Sequence, residues 1–369
     1  MNEKTKSSNK KFKLFLITFI LLGFIFMKEE NQQKFISFFD SINSGSEKTI
    51  IFNNKYDSDD DEKLLFFNDS IIKWNENNIS FLDLKGDIIW NKEFNFTQPE
   101  VLAFEKNIYA IDKESGNIYV LDNKGYTIHR IELNMPIFNL KEVNDNIMIH
   151  VKTDDMEKIK ILDKDGKEVI ETDQKNILTY SINDKNSKYM LSSLELNKNI
   201  KSIAKIYSIT GEGLENFNFN DEVIIFTQFI NNKILIATDK SLYLVGNNDV
   251  IWSKEYPLIK DILINKEKIY LLYGDNLEII KLNGETEKKT TFGIEYKKIV
   301  QLQNYICLYG NKDILILNNG EEMISYKTDE DILDIKGTNK LVAIRYLDGL
   351  EIYDIIDKEQ IKEDDNHEN

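Results

Sequence analysis

Cysteine is almost missing: Cys307 stands alone in 369 residues, which excludes an intrachain disulfide and a thiolate metal cluster. Its setting, Asn304-Tyr-Ile-Cys-Leu-Tyr309, reads as a buried strand, where a thiol is a small inert hydrophobe rather than a nucleophile. Proline is nearly as scarce, with three. Together with abundant Ile, 17 Tyr and 21 Phe, that scarcity favours strands over a loop-rich or disordered chain. The three histidines, His129, His150 and His367, are far apart, so no paired spacing supports a transition-metal site. A G-x-S-x-G nucleophile elbow is absent, and Gly211-Glu-Gly213 lacks the third glycine of a dinucleotide loop. No cofactor and no catalytic residue is expected.

Positive charge is short everywhere except at the start. The net charge is −16, yet Lys4, Lys6, Lys10, Lys11 and Lys13 against Glu3 give +4 in the first thirteen residues, leaving −20 for the body. Such a surface repels phosphate backbones, so nucleic acid is not an expected partner and a cationic or neutral one is. Solubility alone also accounts for the acidity.

Phe12 to Met27 is the one membrane-like run, apolar apart from Lys13 and Thr18. A helix of this length reaches roughly 24 Å against a hydrocarbon core of ~30 Å, with Lys13 and Lys28 able to snorkel. A cleaved signal peptide would look similar, but no A-x-A-like site follows Leu22, which favours an uncleaved signal anchor. The lysines before it place residues 1–11 in the cytoplasm and the body outside. Residues 28–62 read as a juxtamembrane segment and acidic linker. Within it Gln32 to Ile42 suits a short amphipathic helix, and Thr49 to Asn54 a lone strand. The run Asp57 to Glu62 alternates acids as calcium loops do, but Glu62 and Asn68 stand where such a loop needs Gly and a bidentate Glu.

From Lys63 onward one pattern recurs: an apolar strand, a turn closed by Gly, and a return strand. Its clearest copy is Ile118 to Gly125, IYVLDNKG, where Asp122 accepts backbone hydrogen bonds and Gly125 tolerates positive φ. Asp83 with Gly86 and Asp163 with Gly166 repeat that pair, Gly211, Gly284 and Gly320 close other copies, and Asp354 marks the last. Eight units end at 86, 125, 166, 211, 248, 284, 320 and 357. In the second, Val101 to Phe104, Asn107 to Ile111, Asn117 to Leu121 and Ile128 to Leu133 give four strands. Four antiparallel strands in ~40 residues make a propeller blade. The expected fold is all-β: a β-propeller of four-stranded antiparallel blades over residues 63–364, eight in number with seven as the alternative, after one N-terminal transmembrane helix and before a polar tail at 365–369. If Thr49 to Asn54 joins the final unit as its outer strand, the ring closes. The fourth unit is longest, and its extra hairpin offers a candidate binding loop at Leu196, Asn197, Lys198, Asn199, Ile200 and Lys201.

Ile118 to Asp122 with Gly125, and Gly86 to Trp90 and Asn248 to Trp252, resemble the strand, Asp, Gly and Trp order of pyrroloquinoline-quinone-type (quinoprotein) propellers. The resemblance implies that Trp90 and Trp252 pack between blades, with His129 at the matching position of its own unit. The paired-cysteine element of the quinone-dependent dehydrogenases in that superfamily is ruled out by the single Cys307. The whole layout also resembles uncharacterised membrane-anchored propeller proteins of Gram-positive bacteria. The expected function is a non-catalytic scaffold at the cell envelope that binds a protein or a wall polymer. The alternatives are an enzyme acting on an envelope glycan through carboxylates at the propeller axis, and a sensory ectodomain working with a membrane partner.

Overall fold

The computed structural model describes residues 48–357 except 60, 105, 144, 197 and 198. The expected cytoplasmic tail, signal anchor, amphipathic helix and C-terminal tail lie outside the described residues. Among the described residues no helix is long and apolar enough to cross a membrane. The chain divides into two units, Ile50–Ile355 and a second made of Met1–Thr49 with Ile356–Asn369. The blades belong to the first.

The outer strand that closes the ring comes first, as β1 (Lys48–Asp57). Blade 1 is β2 (Lys63–Phe66), β3 (Ile71–Trp74), β4 (Asn78–Leu82) and β5 (Ile88–Glu93). Blade 2 is β6 (Pro99–Ala103), β7 (Ile108–Asp112), β8 (Asn117–Leu121) and β9 (Thr127–Glu132). Blade 3 follows with β10 (Ile137–Val143), β11 (Asn146–Lys152), β12 (Glu157–Leu162) and β13 (Glu168–Asp173). In blade 4 these are β14 (Ile177–Ile182), β15 (Lys188–Leu196), β16 (Ile200–Ser208) and β17 (Gly213–Asn220). Blade 5 has β18 (Ile224–Ile230), β19 (Lys233–Thr238), β20 (Ser241–Gly246) and β21 (Asp249–Glu255). Blade 6 has β22 (Ile259–Asn265), β23 (Lys268–Tyr273), β24 (Asn276–Lys281) and β25 (Thr286–Thr291). Blade 7 is β26 (Lys298–Leu302), β27 (Tyr305–Tyr309), β28 (Asp313–Asn318) and β29 (Glu321–Lys327). Blade 8 takes β30 (Asp334–Gly337), β31 (Leu341–Arg345) and β32 (Gly349–Asp357) from the end of the chain and β1 from its start, in the order β1-β32-β31-β30.

This is an eight-bladed propeller with antiparallel four-stranded blades. Two sequence expectations need correction. The ring begins with β1 rather than at residue 63, so ten residues assigned to the linker are blade. Asp354 is not at a turn: it lies inside β32, because the outer strand of its blade, β1, comes from the start of the chain, and it accepts a hydrogen bond from Asn53 of β1 at 2.7 Å.

The recurring turn is built as its residues dictate. Asp122 Oδ1 accepts the N–H groups of Lys124 and Tyr126 at 2.9 and 2.8 Å, while Gly125 has φ +81°. Asp83 and Asp163 hold their turns the same way. Each turn is then covered by the outer strand of the preceding blade. Trp90 lies on Gly125 and donates to the Asn123 carbonyl at 3.0 Å; Trp252 lies on Gly284 and donates to the Leu282 carbonyl at 3.0 Å. At the equivalent places His129 meets Gly166, Ile170 meets Gly211, Glu215 accepts the Asn248 N–H, and Lys288 donates to the Gly320 carbonyl. Any side chain that can cover a glycine turn or bond its backbone serves here, which is why tryptophan is not needed in every blade.

A Cβ on Gly125 would stand 2.8 Å from the Trp90 ring at a positive φ. Gly125→Ala is therefore expected to cost about 2 kcal/mol, from backbone strain plus overpacking. Urea denaturation checks this, and a midpoint equal to wild type would refute the packing argument.

The core is eight separate apolar clusters, one for each junction between neighbouring blades. The cluster of Leu64, Phe66 and Ile71 with Leu341, Ala343, Leu350 and Ile352 joins blade 8 to blade 1. On the innermost strands, one residue packs forward onto the next blade's cluster. Leu65, Leu102, Leu263 and Val300 take that position. In blades 3 and 8 the same position holds Lys141 and Lys336, opposite Met148 and Ala343 in register.

Candidate functional site

The strand order gives the propeller two unlike faces. Connections between first and second strands, and between third and fourth, carry the glycine turns and define a turn face. The remaining connections form the loop face. The chain enters the propeller at Ile50 and leaves it at Ile355 on the turn face, since β1 runs from that face outward and β32 returns to it. The loop face carries neither end.

Among the described residues, loop-face connections hold 16 acidic side chains and 5 lysines, a net of −11. Turn-face connections hold 11 and 8, a net of −3. The acidity seen in the sequence is therefore concentrated on one side. The same side exposes large apolar residues in six blades or the connections between them: Phe138, Leu196, Ile225, Leu258, Leu333 and Leu347, the last of them 81% exposed. Leu258 also has φ +52°, a left-handed conformation that costs a leucine roughly 1–2 kcal/mol. An exposed leucine held in a strained conformation is a departure that packing does not explain, and such departures gather at functional positions.

The candidate binding loop of the fourth unit belongs to this face. Asn197 and Lys198 lie outside the described residues. Leu196 ends β15, while Ile200 and Lys201 open β16, and Leu196 pairs with Ile200. The longer hairpin expected in this unit is present as two nine-residue strands, with Leu196 and Ile200 both exposed.

Beside this hairpin, at the junction of blades 3 and 4, a polar cluster supports Phe138. Its ring meets the buried His150 imidazole edge-on at 4.9 Å, and the Lys152 amine lies 5.4 Å from its centroid. His150 Nε2 is 2.9 Å from Glu157 Oε1. Glu157, also buried, accepts the backbone N–H groups of Asn176 at 2.6 Å and Ile177 at 3.2 Å. One carboxylate thus ties β11 and β12 to the start of β14. Burial holds the His150 pKa below the ordinary imidazole range, against the pull of Glu157, with Lys152 and Lys141 adding to the depression. The imidazole is neutral and donates Nε2–H to the carboxylate. Next to it the Lys141 amine stands 4.5 Å over the Tyr180 ring, and burial lowers its pKa. An open groove of about 610 Å³ adjoins the cluster, lined by Asp155, Met156, Glu157, Lys158, Asp173, Gln174 and Lys175.

Sequence reasoning did not single out His150 or Glu157. The signal was available only in part: in the β11–β12 hairpin Lys152 faces Glu157 in register, so His150, two residues before, shares their side of the sheet. His129, in contrast, sits over a turn glycine, and Cys307 is fully buried, its thiol pushed up by desolvation. Among the described residues no group of three His, Cys, Asp or Glu side chains is placed to hold a metal ion. Among the described residues the one carboxylate lining the axial cavity is Asp334.

The model of a family of unknown function, DUF5711, matches residues 43–348. No curated protein matches the sequence. Among solved structures, BamB from Moraxella catarrhalis is similar at 11% identity and a TM-score of 0.55, covering 83% of this chain and 99% of that one. Sqt1 from Saccharomyces cerevisiae is similar at 11% identity and a TM-score of 0.56, covering 85% and 99%. A eukaryotic initiation factor gives 12% identity and 0.55, covering 83% and 88%. At these identities the likeness is one of fold, and it establishes a propeller repeat protein.

Proposed function

The chain belongs to DUF5711, a family whose function is unknown, and from that premise we propose that it is a protein-binding scaffold that takes its partner on the loop face. The observation that carries this is that the more acidic face exposes Phe138, Leu196, Leu258 and Leu347 beside its carboxylates, whereas the equally exposed Ile88, Tyr126 and Val250 lie at or beside the turn-face ends of the outer strands, where the connections are closer to charge balance. An apolar contact ringed by carboxylates suits a protein with a basic surface around an apolar centre. A wall polymer without apolar groups would leave those leucines unused.

Attachment outside the cytoplasmic membrane is part of the proposal, supported by the apolar run Phe12–Met27 and the five lysines before it. Protease added to intact cells then cuts the propeller, and protease added to inverted vesicles does not; the reverse pattern would place it inside.

Chemical crosslinking on cells carrying wild type or a Leu258→Asp, Leu347→Asp double variant tests the docking face. A crosslinked protein is expected with wild type, released by raised salt, and reduced about tenfold or more in the variant at unchanged melting temperature. An equal yield from both chains would remove the loop face from the proposal. Retention of wall polymer alone would replace the protein partner.

A further inference from the structure

On the opposite face the axis opens into a cavity of about 580 Å³, within the range that holds a small organic ligand. Five blades line it. Its apolar wall includes Ala103, Phe104, Leu263 and Val300, and its charged groups among the described residues are Asp334 and Lys336. Asp334 is already engaged, accepting the Ile335 N–H at 3.0 Å and the Tyr309 hydroxyl at 3.5 Å. Lys336 is different. It occupies the forward-packing position that blades 1, 2, 6 and 7 fill with Leu or Val; Asp334 attracts it and Arg345 repels it, but among the described residues no carboxylate lies within ion-pair distance of its amine.

A mostly buried ammonium without a paired carboxylate is costly. Its counterpart Lys141 resolves the problem on the Tyr180 ring, whereas Lys336 faces an open cavity with apolar walls. We propose that the axial cavity on the turn face binds a small amphipathic anion, an apolar body bearing one carboxylate, sulfonate or phosphate, with Lys336 as its counter-ion. The connections between first and second strands at this mouth carry four acidic residues and four lysines among the described residues, so the acidity that would repel an anion elsewhere is locally balanced. This site is separate from the loop face and does not depend on the scaffold proposal.

The test uses the full chain in phosphatidylcholine nanodiscs, with empty discs as the blank, titrated calorimetrically with octanoate, naphthalene-1-sulfonate and the neutral naphthalene-1-methanol. Saturable binding of the anions is expected, weaker for the neutral compound. Lys336→Met is expected to weaken the anions about tenfold or more and leave the neutral compound unchanged. Lys141→Met, at the equivalent position but away from the cavity, leaves all three unchanged. Tighter binding of octanoate points to a lipid-derived acid, and of the sulfonate to a soluble aromatic one. If Lys336→Met fails to fold, the pH profile of wild type decides. Burial, with Arg345 adding to it and Asp334 opposing it, lowers the lysine pKa, so anion affinity falls with rising pH before the ordinary lysine range is reached, while the neutral compound shows no such change. Absence of saturable anion binding, or equal binding by Lys336→Met, would overturn the proposal.

Discussion

A chain lacking Lys48–Asp57 is expected to lose the cooperative unfolding transition of the propeller and to aggregate. β1 is the outer strand of blade 8, and its removal exposes the whole edge of β32. Unpaired edges of this kind template association with other chains. Several contacts go at once. Ile50 leaves the cluster between blades 7 and 8, Phe52 leaves its edge-to-face contact with Tyr353 at 5.9 Å, and Asn53 leaves Asp354. Tyr56 no longer covers the Gly86 turn of blade 1, so the junction of first and last blades loses both its strand and its lid. The summed loss exceeds about 4 kcal/mol, beyond what most single substitutions reach. Gly349→Val strikes the same seam differently, since a Cβ there would meet the Tyr56 carbonyl at 2.3 Å. Thermal scans of the deletion, of Gly349→Val and of a chain lacking only residues 1–47 make the comparison. A melting temperature for the β1 deletion equal to that of the shorter truncation would show that the ring does not depend on this closure. Recovery on adding a Lys48–Asp57 peptide would confirm that it does.

Glu157→Ala is expected to cost about 3 kcal/mol, because a buried acceptor serving three donors disappears and the buried His150 is left without its partner. His150 Nε2–H and the N–H groups of Asn176 and Ile177 are left without their partner. In a domain this large the melting temperature falls by about 5 °C. Glu157→Gln keeps one acceptor and falls by less. The same cluster sets a pH dependence. His150 has a folded pKa lowered by burial, so in the unfolded chain it takes up a proton that the folded chain refuses. Its contribution is fully present above the unfolded value of about 6.5 and is lost as pH falls through that value toward the folded one. Urea midpoints are therefore expected to decline from pH 7 toward pH 5, and His150→Gln to flatten that decline. Carboxylates whose pKa is lowered, such as Asp112 and Glu278, add a further loss only below about pH 5. A flat profile in wild type across pH 5–7 would refute the buried neutral imidazole.

Much of the architecture was legible in the residues because its determinants are local. An Asp that accepts backbone N–H groups two and four residues ahead and a Gly at positive φ act within one turn in blades 1 to 3, Gly or Asn at positive φ closes the turns of blades 4 to 7, and the strand spacing carries the count to the eighth unit. The ring closure was legible as a conditional expectation, since Thr49 to Asn54 has strand character but nothing nearby to pair with. Asp354 misled because its unit ends like the others in sequence, while the strand that would follow a turn comes from the other end of the chain.

The candidate sites were not legible. Lys141 and Lys336 hold the same position in their strands, and nothing within a few residues says that one rests on Tyr180 while the other lines the axial cavity. Glu157 and its backbone partners at 176 and 177 meet only because the next blade begins beside it. The uneven acidity becomes an argument about binding only once the connections are sorted onto two faces. The sequence by itself determined the glycine turns and the strand alternation and favoured eight blades over seven, since these follow from neighbours a few positions apart. What faces the axis, the partner or the next blade was decided by the tertiary structure, because ring closure sets side by side residues the chain keeps up to three hundred positions apart, as Asn53 and Asp354 are.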